Sequence, residues 1–363
     1  MTKTWQPEDF DIRIGQLAKG KKNKITDVPG VRVGHLTLKE GTARTGVTAI
    51  LPHDGNLFQE KVLATSHVIN GFGKTIGLVQ VNELGQLETP ILLTNTLSVG
   101  TVADGLVQYM LKQNEDIGRT TGTVNPVVGE CNDGYLNDIR ELHIKQEHVW
   151  QAIANADTDF AEGAVGAGTG MSNFHLKGGI GSSSRVIQMA DQNYTVGVLV
   201  LANYGLLPDL QVKGVPVGQR IERLMEAGKN EASGTGTVAE ERGSIIIVVA
   251  TDAPVNERQL QRICKRAVIG ITRMGSFIGN GSGDIVIGFS TAFRIPHYTE
   301  EPVLPWQYFH ENGITTAFRA VAEATEEAVL KALLNGEKTE GRDGHTRSSL
   351  RDWLIAYPEL LQP

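Results

Sequence analysis

The stretch Glu231-Ala232-Ser233-Gly234-Thr235-Gly236-Thr237-Val238-Ala239-Glu240-Glu241-Arg242-Gly243 runs directly into Ser244-Ile245-Ile246-Ile247-Val248-Val249-Ala250. The first part is polar and small. The second is a continuous apolar run of β-branched residues, the pattern of a buried strand. A small hydroxyl residue therefore opens a buried strand at the end of an exposed linker. This is the layout of a precursor that cuts itself before a serine and frees a new N-terminal nucleophile. Gly243, on the acyl side, leaves room for the Ser244 hydroxyl to approach its own preceding carbonyl. Taken alone, serine after glycine at a strand start is more often the end of a turn, so the rest of the chain has to decide.

The chain has 363 residues, with 40% hydrophobic residues and a net charge of −7. That length fits two ordinary domains or one large one, with apolar residues enough for a sizeable core. The densest basic stretch, Lys19 to Lys24, reads as a solvated loop, and nucleic acid is not an expected partner. Two cysteines, Cys131 and Cys264, exclude a disulfide scaffold and fit a reducing, cytoplasmic setting. The segment Met1 to Asp9 has no apolar core of a signal peptide, and no apolar run reaches the length of a membrane span. No HExxH is present, and no histidine pairs with cysteine at finger spacing, so no metal is expected. His143 and His148 read as surface residues.

Strand and helix signals alternate. Val47 to Pro52, Ile91 to Asn95 and Tyr194 to Asn203 read as strands, the last apolar on both faces and so covered on both sides. Val99 to Gln113 reads as a helix capped by Ser98, and Glu147 to Asn155 as a second, shorter one. Asn256 and Gln259 form a variant capping box before an apolar helical face of Leu260, Ile263, Cys264, Ala267 and Val268. A glycine-rich turn, Gly275 to Gly283, leads into a strand from Asp284 to Ser290, and Thr315 to Leu334 reads as a long amphipathic helix. The expected class is an α/β layered core without internal repeats. If the strands opened by Ser244 and Asp284 lie parallel in one sheet, Ser244, Ser282 and Asp284 converge on one rim.

Two glycine segments imitate nucleotide loops. Gly166-Ala167-Gly168-Thr169-Gly170 lacks the third glycine of GxGxxG, and Gly279-Asn280-Gly281-Ser282-Gly283 precedes a strand instead of following one. Both are better read as close backbone approach and positive φ beside a site. Glu130 to Asp138 is dense in ligand-binding side chains, with a polar surface loop as the alternative. Asn203 ends its apolar strand where a side-chain amide is able to donate to an oxyanion; a strand-ending turn residue is the other reading.

Taken together these segments form one pattern. Glu162-Gly163-Ala164-Val165-Gly166-Ala167-Gly168-Thr169-Gly170-Met171 followed by Lys177-Gly178-Gly179-Ile180-Gly181-Ser182-Ser183-Ser184-Arg185 resembles the hallmark of the L-aminopeptidase/D-esterase family, which includes D-Ala-releasing and β-peptidyl aminopeptidases. Ile25 to His35 resembles that family's N-terminal signature, and Gly129 to Asp138 a second one. The junction at Gly243-Ser244, Asn203, the turn from Gly279 to Asp284, and Gly341 to Gly344 complete a resemblance that runs in order along nearly the whole chain.

The resemblance implies a single αββα sandwich over 1–363, layered like the N-terminal-nucleophile hydrolases and shared with ornithine acetyltransferases. It implies self-cleavage into a large chain 1–243 and a small chain 244–363, and assembly of the processed heterodimers, commonly in four copies. By the same resemblance Ser244 is the nucleophile, Ser282 and Asp284 hold or relay the proton, and Asn203 is the oxyanion amide. Glu130 grips the free amine of the substrate, and Tyr135 lies near the nucleophile. No cofactor is implied. β-Peptidyl aminopeptidases are expected to carry Glu where this chain has Asp284, which leaves the chemistry intact but opens the choice among L-, D-Ala and β-amino acid substrates. The implied reaction is hydrolysis of an amide or ester beside a free amine through a serine acyl-enzyme. The base is either the freed α-amine, with a reference pKa of about 7.7–8.0, or the Ser282–Asp284 pair. Acyl transfer of the ornithine acetyltransferase type is disfavoured because those enzymes use threonine. An unprocessed binding protein is disfavoured by the intact Ser244, Ser282 and Asp284.

Overall fold

The run that begins at Ser244 fixes the layering. Ile245, Ile247 and Val249 enter one apolar core, while Ile246, Val248 and Ala250 enter another. A strand whose side chains alternate between two dry layers needs cover on both faces. The computed structural model, which describes residues 3–189, 191–227 and 243–362, supplies it. The linker read before Ser244, Glu231 to Gly243, lies outside the described residues except for Gly243.

In chain order the strands are β1 (Arg32–Leu38), β2 (Thr45–Leu51), β3 (Glu60–Gly71), β4 (Gln86–Leu87), β5 (Ile91–Asn95), β6 (Val127–Cys131), β7 (Ser172–Asn173), β8 (Leu176–Lys177), β9 (Gly179–Met189), β10 (Gln192–Asn203), β11 (Ser244–Thr251), β12 (Gly283–Pro296), β13 (Thr339–Glu340) and β14 (Thr346–Arg347). The helices are α1 (Leu78–Leu84), α2 (Val99–Gln113), α3 (Gln146–Ala154), α4 (Val217–Ala227), α5 (Glu257–Cys264), α6 (Ala267–Arg273), α7 (Thr315–Leu334) and α8 (Leu350–Ala356). A six-stranded sheet runs β4-β3-β12-β11-β10-β9, and a four-stranded sheet runs β1-β2-β5-β6. Two short hairpins, β7-β8 and β13-β14, complete the strands among the described residues.

Three apolar layers hold the sheets and helices together. Between the sheets, Leu199, Leu201, Ile246, Val248, Ile285 and Phe289 meet Val33, Ile50, Leu93 and Val127. Outside the small sheet, Val47, Ala49 and Leu92 meet Val102 and Leu106 of α2 and Val149 of α3. Outside the large sheet, Val198, Val200 and Ile247 meet Leu260 of α5, Ile271 of α6 and Val329 of α7. The order is helix, sheet, sheet, helix, so the chain is an αββα sandwich.

Two local expectations change. Ser98 occupies the N-cap position of α2, but its side chain makes no capping hydrogen bond; a 3-10 turn over Thr96–Ser98 precedes the helix and is capped by Asn95, whose side chain accepts from Ser98 N at 3.0 Å. The helix α7 is not amphipathic in the ordinary sense: Glu323, Glu327 and Lys331 are buried along with its apolar residues. Fully buried Arg185 of β9 lies 2.6 Å from Glu327 and 3.3 Å from Glu323, while Lys331 lies 3.2 Å from Glu162. Buried charge persists only when paired, and removing one partner from such a pair costs about 3–5 kcal/mol. Helical periodicity reads the charged residues of α7 as a solvent face; their partners come from segments distant in the chain.

Candidate active site

The rim of the large sheet assembles the residues read from sequence. Ser244 opens β11. Its register partner on the antiparallel side is Asn203, the last residue of β10, and on the parallel side Gly283, the first of β12. The parallel pairing of β11 and β12 foreseen from the sequence is present, with Ile245 opposite Asp284. By strand alternation Ser244 and Asn203 share the face of Ile246 and Leu201, toward the layer between the sheets. All four polar residues, Ser244, Asn203, Ser282 and Asp284, are buried.

Each group has a defined hydrogen-bond setting. Ser282 Oγ donates to Asp284 Oδ1 at 2.6 Å. Asn203 Oδ1 accepts from the Ser172 N–H at 2.8 Å, which fixes the amide so that its NH₂ is the end turned away from Ser172. The Gly243 carbonyl, the acyl half of the junction bond, accepts from the Gly283 N–H at 3.3 Å. Glycine is sterically required at both of these positions. A Cβ on Gly243 would stand 2.3 Å from Tyr204 Cα, and one on Gly283 would stand 2.7 Å from the Phe72 carbonyl oxygen.

The small sheet contributes the opposite wall. Glu130, near the end of β6, is buried; its Oε1 accepts from Lys74 N at 2.8 Å and its Oε2 from the Thr96 hydroxyl. The next residue, Cys131, donates its thiol to Leu201 O at 3.4 Å across the gap between the sheets. Burial pushes the Cys131 thiol well above its usual pKa, helped by the charges of Glu130 and Asp284 and opposed by hydrogen bonding from the Ser244 side chain and the Ile246 backbone. The thiol therefore stays protonated and does not compete as a nucleophile. A Cβ on Gly73 would stand 3.5 Å from Glu130 Oε1 and 3.8 Å from Gly283 Cα, so the carboxylate and the first residue of β12 both lie close to Gly73.

Tyr135 lies farther out and is partly exposed. Its ring stacks on His345 with centroids 4.5 Å apart, and the Arg347 guanidinium sits 3.6 Å from the ring centroid. Its link to the rim is indirect, through Arg347 Nε, which donates to Ser172 Oγ at 3.1 Å. Sequence reading did not single out Ser172, Arg347 or Asn70. The Asn70 side chain donates to the carbonyls of Gly279 at 3.0 Å, Asn280 at 3.3 Å and Ser282 at 2.5 Å, clamping the turn before Asp284. Nothing in the local pattern marks these residues, because each acts on a segment far away in the chain.

The glycine segments do not behave alike. Gly166 has φ of 52°, as expected, and Lys177 Nζ donates to the carbonyls of Gly168, Met171 and Gly178 at 3.0, 2.9 and 2.8 Å, binding the segment into the fold. In the later turn the positive φ falls on Gly275, at 112°, and on Ile278, at 60°. Gly283 there serves close approach instead.

A sandwich of two sheets between helices, with a small hydroxyl residue opening a central strand, is the layering of the N-terminal-nucleophile fold class. Comparison with known proteins narrows this. The chain belongs to peptidase family S58, whose model matches residues 23–347. It is 41% identical to the beta-peptidyl aminopeptidase BapA of Sphingosinicella microcystinivorans, over 98% of this chain and 93% of that protein. Among solved structures, the PH0078 protein from Pyrococcus horikoshii OT3 is similar with a TM-score of 0.89 and 51% identity, covering 97% of each chain. The L-aminopeptidase D-Ala-esterase/amidase of Ochrobactrum anthropi, described as a variant of the Ntn hydrolase fold, matches with a TM-score of 0.85 and 34% identity over 98% of this chain and 99% of that one. The chain is therefore a peptidase and a hydrolase, and the resemblance read from the sequence holds. Among the described residues no helix is long and apolar enough to cross a membrane.

Proposed function

We propose that this S58 peptidase is a serine aminopeptidase that activates itself by cleaving Gly243–Ser244 and then removes single N-terminal residues from small peptides, amino-acid amides or esters. The observation that carries this reading is the register: Ser244 stands between Asn203 and Gly283, next to the hydrogen-bonded Ser282–Asp284 pair. In the precursor, Ser244 Oγ attacks the Gly243 carbonyl carbon. The carbonyl is already polarised by the Gly283 N–H. The chain shifts from nitrogen to oxygen, and water hydrolyses the ester to a Gly243 carboxylate and a free Ser244 amine. One polypeptide of 1–363 becomes a large chain 1–243 and a small chain 244–363.

In turnover, Ser244 Oγ attacks the substrate carbonyl and releases the amine or alcohol, and water then releases the acid. The α-amine of Ser244 or the Ser282–Asp284 pair takes the hydroxyl proton. Asn203 Nδ2 stabilises the oxyanion, a contribution on the order of 3 kcal/mol for one donor. Glu130, held by Lys74 N and Thr96, pairs with the substrate ammonium and so restricts cleavage to the first residue. Tyr135 lines the approach. The processed heterodimers assemble with one another, in four copies by the family pattern, and act in the cytoplasm without a cofactor.

The test is direct. A denaturing gel shows two unequal bands in place of one near the 39.2 kDa of the whole chain. N-terminal sequencing of the smaller band returns Ser-Ile-Ile-Ile. Activity on L-, D- and β-aminoacyl p-nitroanilides then ranks the substrate classes, and an intact chain with full activity would refute the reading.

A further inference from the structure

We propose that Arg347 is a positioning residue that acts through Ser172 to aim the Asn203 amide at the reacting carbonyl. The inference rests on the oxyanion role proposed for Asn203.

The β7–β8 hairpin lies between the two. At one end the Ser172 N–H holds Asn203 Oδ1 at 2.8 Å, and at the turn the Phe174 N–H donates to Tyr204 O at 2.7 Å. The hairpin thus touches the last residue of β10 and the one after it. Its turn residues, Phe174 and His175, have φ of 50° and 57°. Residues other than glycine adopt this left-handed conformation at a cost, so bonds from outside the hairpin matter to its shape. Two bonds from the C-terminal segment hold it: Arg347 Nε donates to Ser172 Oγ at 3.1 Å, and Lys177 N donates to Ser348 O at 2.8 Å. The guanidinium is in turn fixed in plane by the Tyr135 ring, 3.6 Å from its centroid, and that ring stacks on His345. A side chain with several rotatable bonds is thereby given one orientation. The path from Arg347 to the oxyanion amide contains two hydrogen bonds, and both pass through Ser172. An oxyanion donor is worth its full contribution only at the correct distance and angle, so loosening Ser172 lowers the rate without changing what the substrate's ammonium and side chain touch.

The experiment compares R347Q, S172A, the double variant and N203A, with rates normalised to the cleaved fraction seen on a denaturing gel. R347Q and S172A are each expected to lower kcat about ten-fold with KM within about two-fold, and the double variant to be no worse than the poorer single one, because both remove the same hydrogen bond. A rise in KM at constant kcat would show that Arg347 touches substrate, for instance a peptide carboxylate, and would overturn the proposal. Multiplicative losses, or wild-type rates in S172A, would overturn it as well. S172A leaves the stack of Arg347 on Tyr135 in place and keeps the test readable if R347Q fails to fold. The N203A arm separates the two claims: it should lose about 10²-fold in kcat. Wild-type activity there removes the oxyanion reading itself, whereas loss in N203A without loss in S172A removes only the role of Arg347.

Discussion

Ser244 and Asn203 face each other as register partners across the β10–β11 ladder, so main-chain pairing sets the distance between the proposed nucleophile and its oxyanion amide. Strand registers are strongly specified where both faces are buried, and every residue of β11 is buried.

Replacing the nucleophile should separate folding from chemistry. Ser244→Ala removes only an oxygen, and the strand still pairs. A single full-length band is expected, with hydrolysis of aminoacyl p-nitroanilides reduced by at least about 10³-fold. Circular dichroism should match the wild type, and near-normal hydrolysis by the uncut chain would eliminate Ser244.

Gly243→Ala tests the approach of the scissile bond. The added methyl would stand 2.3 Å from Tyr204 Cα and 2.7 Å from the Asn203 carbonyl oxygen, both backbone atoms that do not yield easily. The Gly243 carbonyl must then move off the Gly283 N–H. Cleavage should slow by roughly ten-fold or more, as expected for a displaced reacting group, while chains that do cleave keep normal turnover because residue 243, then the free C-terminus of the large chain, is no longer bonded to Ser244. A time course of band intensities after synthesis measures this; unchanged processing would mean that the junction does not react in the observed geometry.

Glu130→Gln keeps the shape of the amine anchor and removes its charge. Substrates with a free amine should lose about 10- to 100-fold in kcat/KM, mainly through KM, as expected for a charge-assisted bond reduced to a neutral one. Self-cleavage involves no free amine at this subsite and should proceed at the wild-type rate. Equal loss in both assays would assign Glu130 to the shared chemistry instead.

Acid sensitivity follows from His35, in the N-terminal signature. Burial, with Lys24 adding to it and a hydrogen bond to the Ala161 carbonyl opposing it, lowers its pKa to about 4. Its ring nitrogens lie 2.9 Å from Thr48 Oγ1 and 3.1 Å from Ala161 O, and Thr48 Oγ1 accepts from Ala167 N in the glycine hallmark. Because the folded pKa is below the unfolded one, near 6.5, the unfolded chain takes up the proton first as pH falls. The contribution of neutral His35 is complete above pH 6.5 and is lost progressively down to about pH 4, up to about 3 kcal/mol in total. His35→Gln, which keeps a polar side chain without this titration, should flatten the melting temperature over that window; the same slope in both proteins would remove His35 as the cause.

Much of the site is legible in the sequence once its segments are read together. The junction at Ser244, the buried strand behind it, the Ser282 to Asp284 turn and the carboxylate at Glu130 stand out because each breaks a local pattern: a hydroxyl opens an apolar run, or a charge sits among glycines and apolar residues. Ser172, Arg347 and Asn70 break none, since their work is hydrogen bonding to backbone or side chains far away in sequence. The buried charges of α7 mislead for the same reason, as helical spacing records which residues share a face but not what that face meets.

The amino-acid order by itself determined an alternation of strands and helices in an α/β layered core and marked the place of the proposed cut, because hydrophobic period, glycine and hydroxyl placement are local properties; the αββα layering and the roles of the site residues were expected from the family resemblance of the motifs. Only the tertiary structure decided that Ser244 stands between Asn203 and Gly283, that Glu130 of the other sheet lies near Gly73 and the start of β12, and that Arg185 neutralises the acids of α7. Strand register and charge pairing are settled by burial against partners distant in the chain, and a sequence read along its length does not contain those distances.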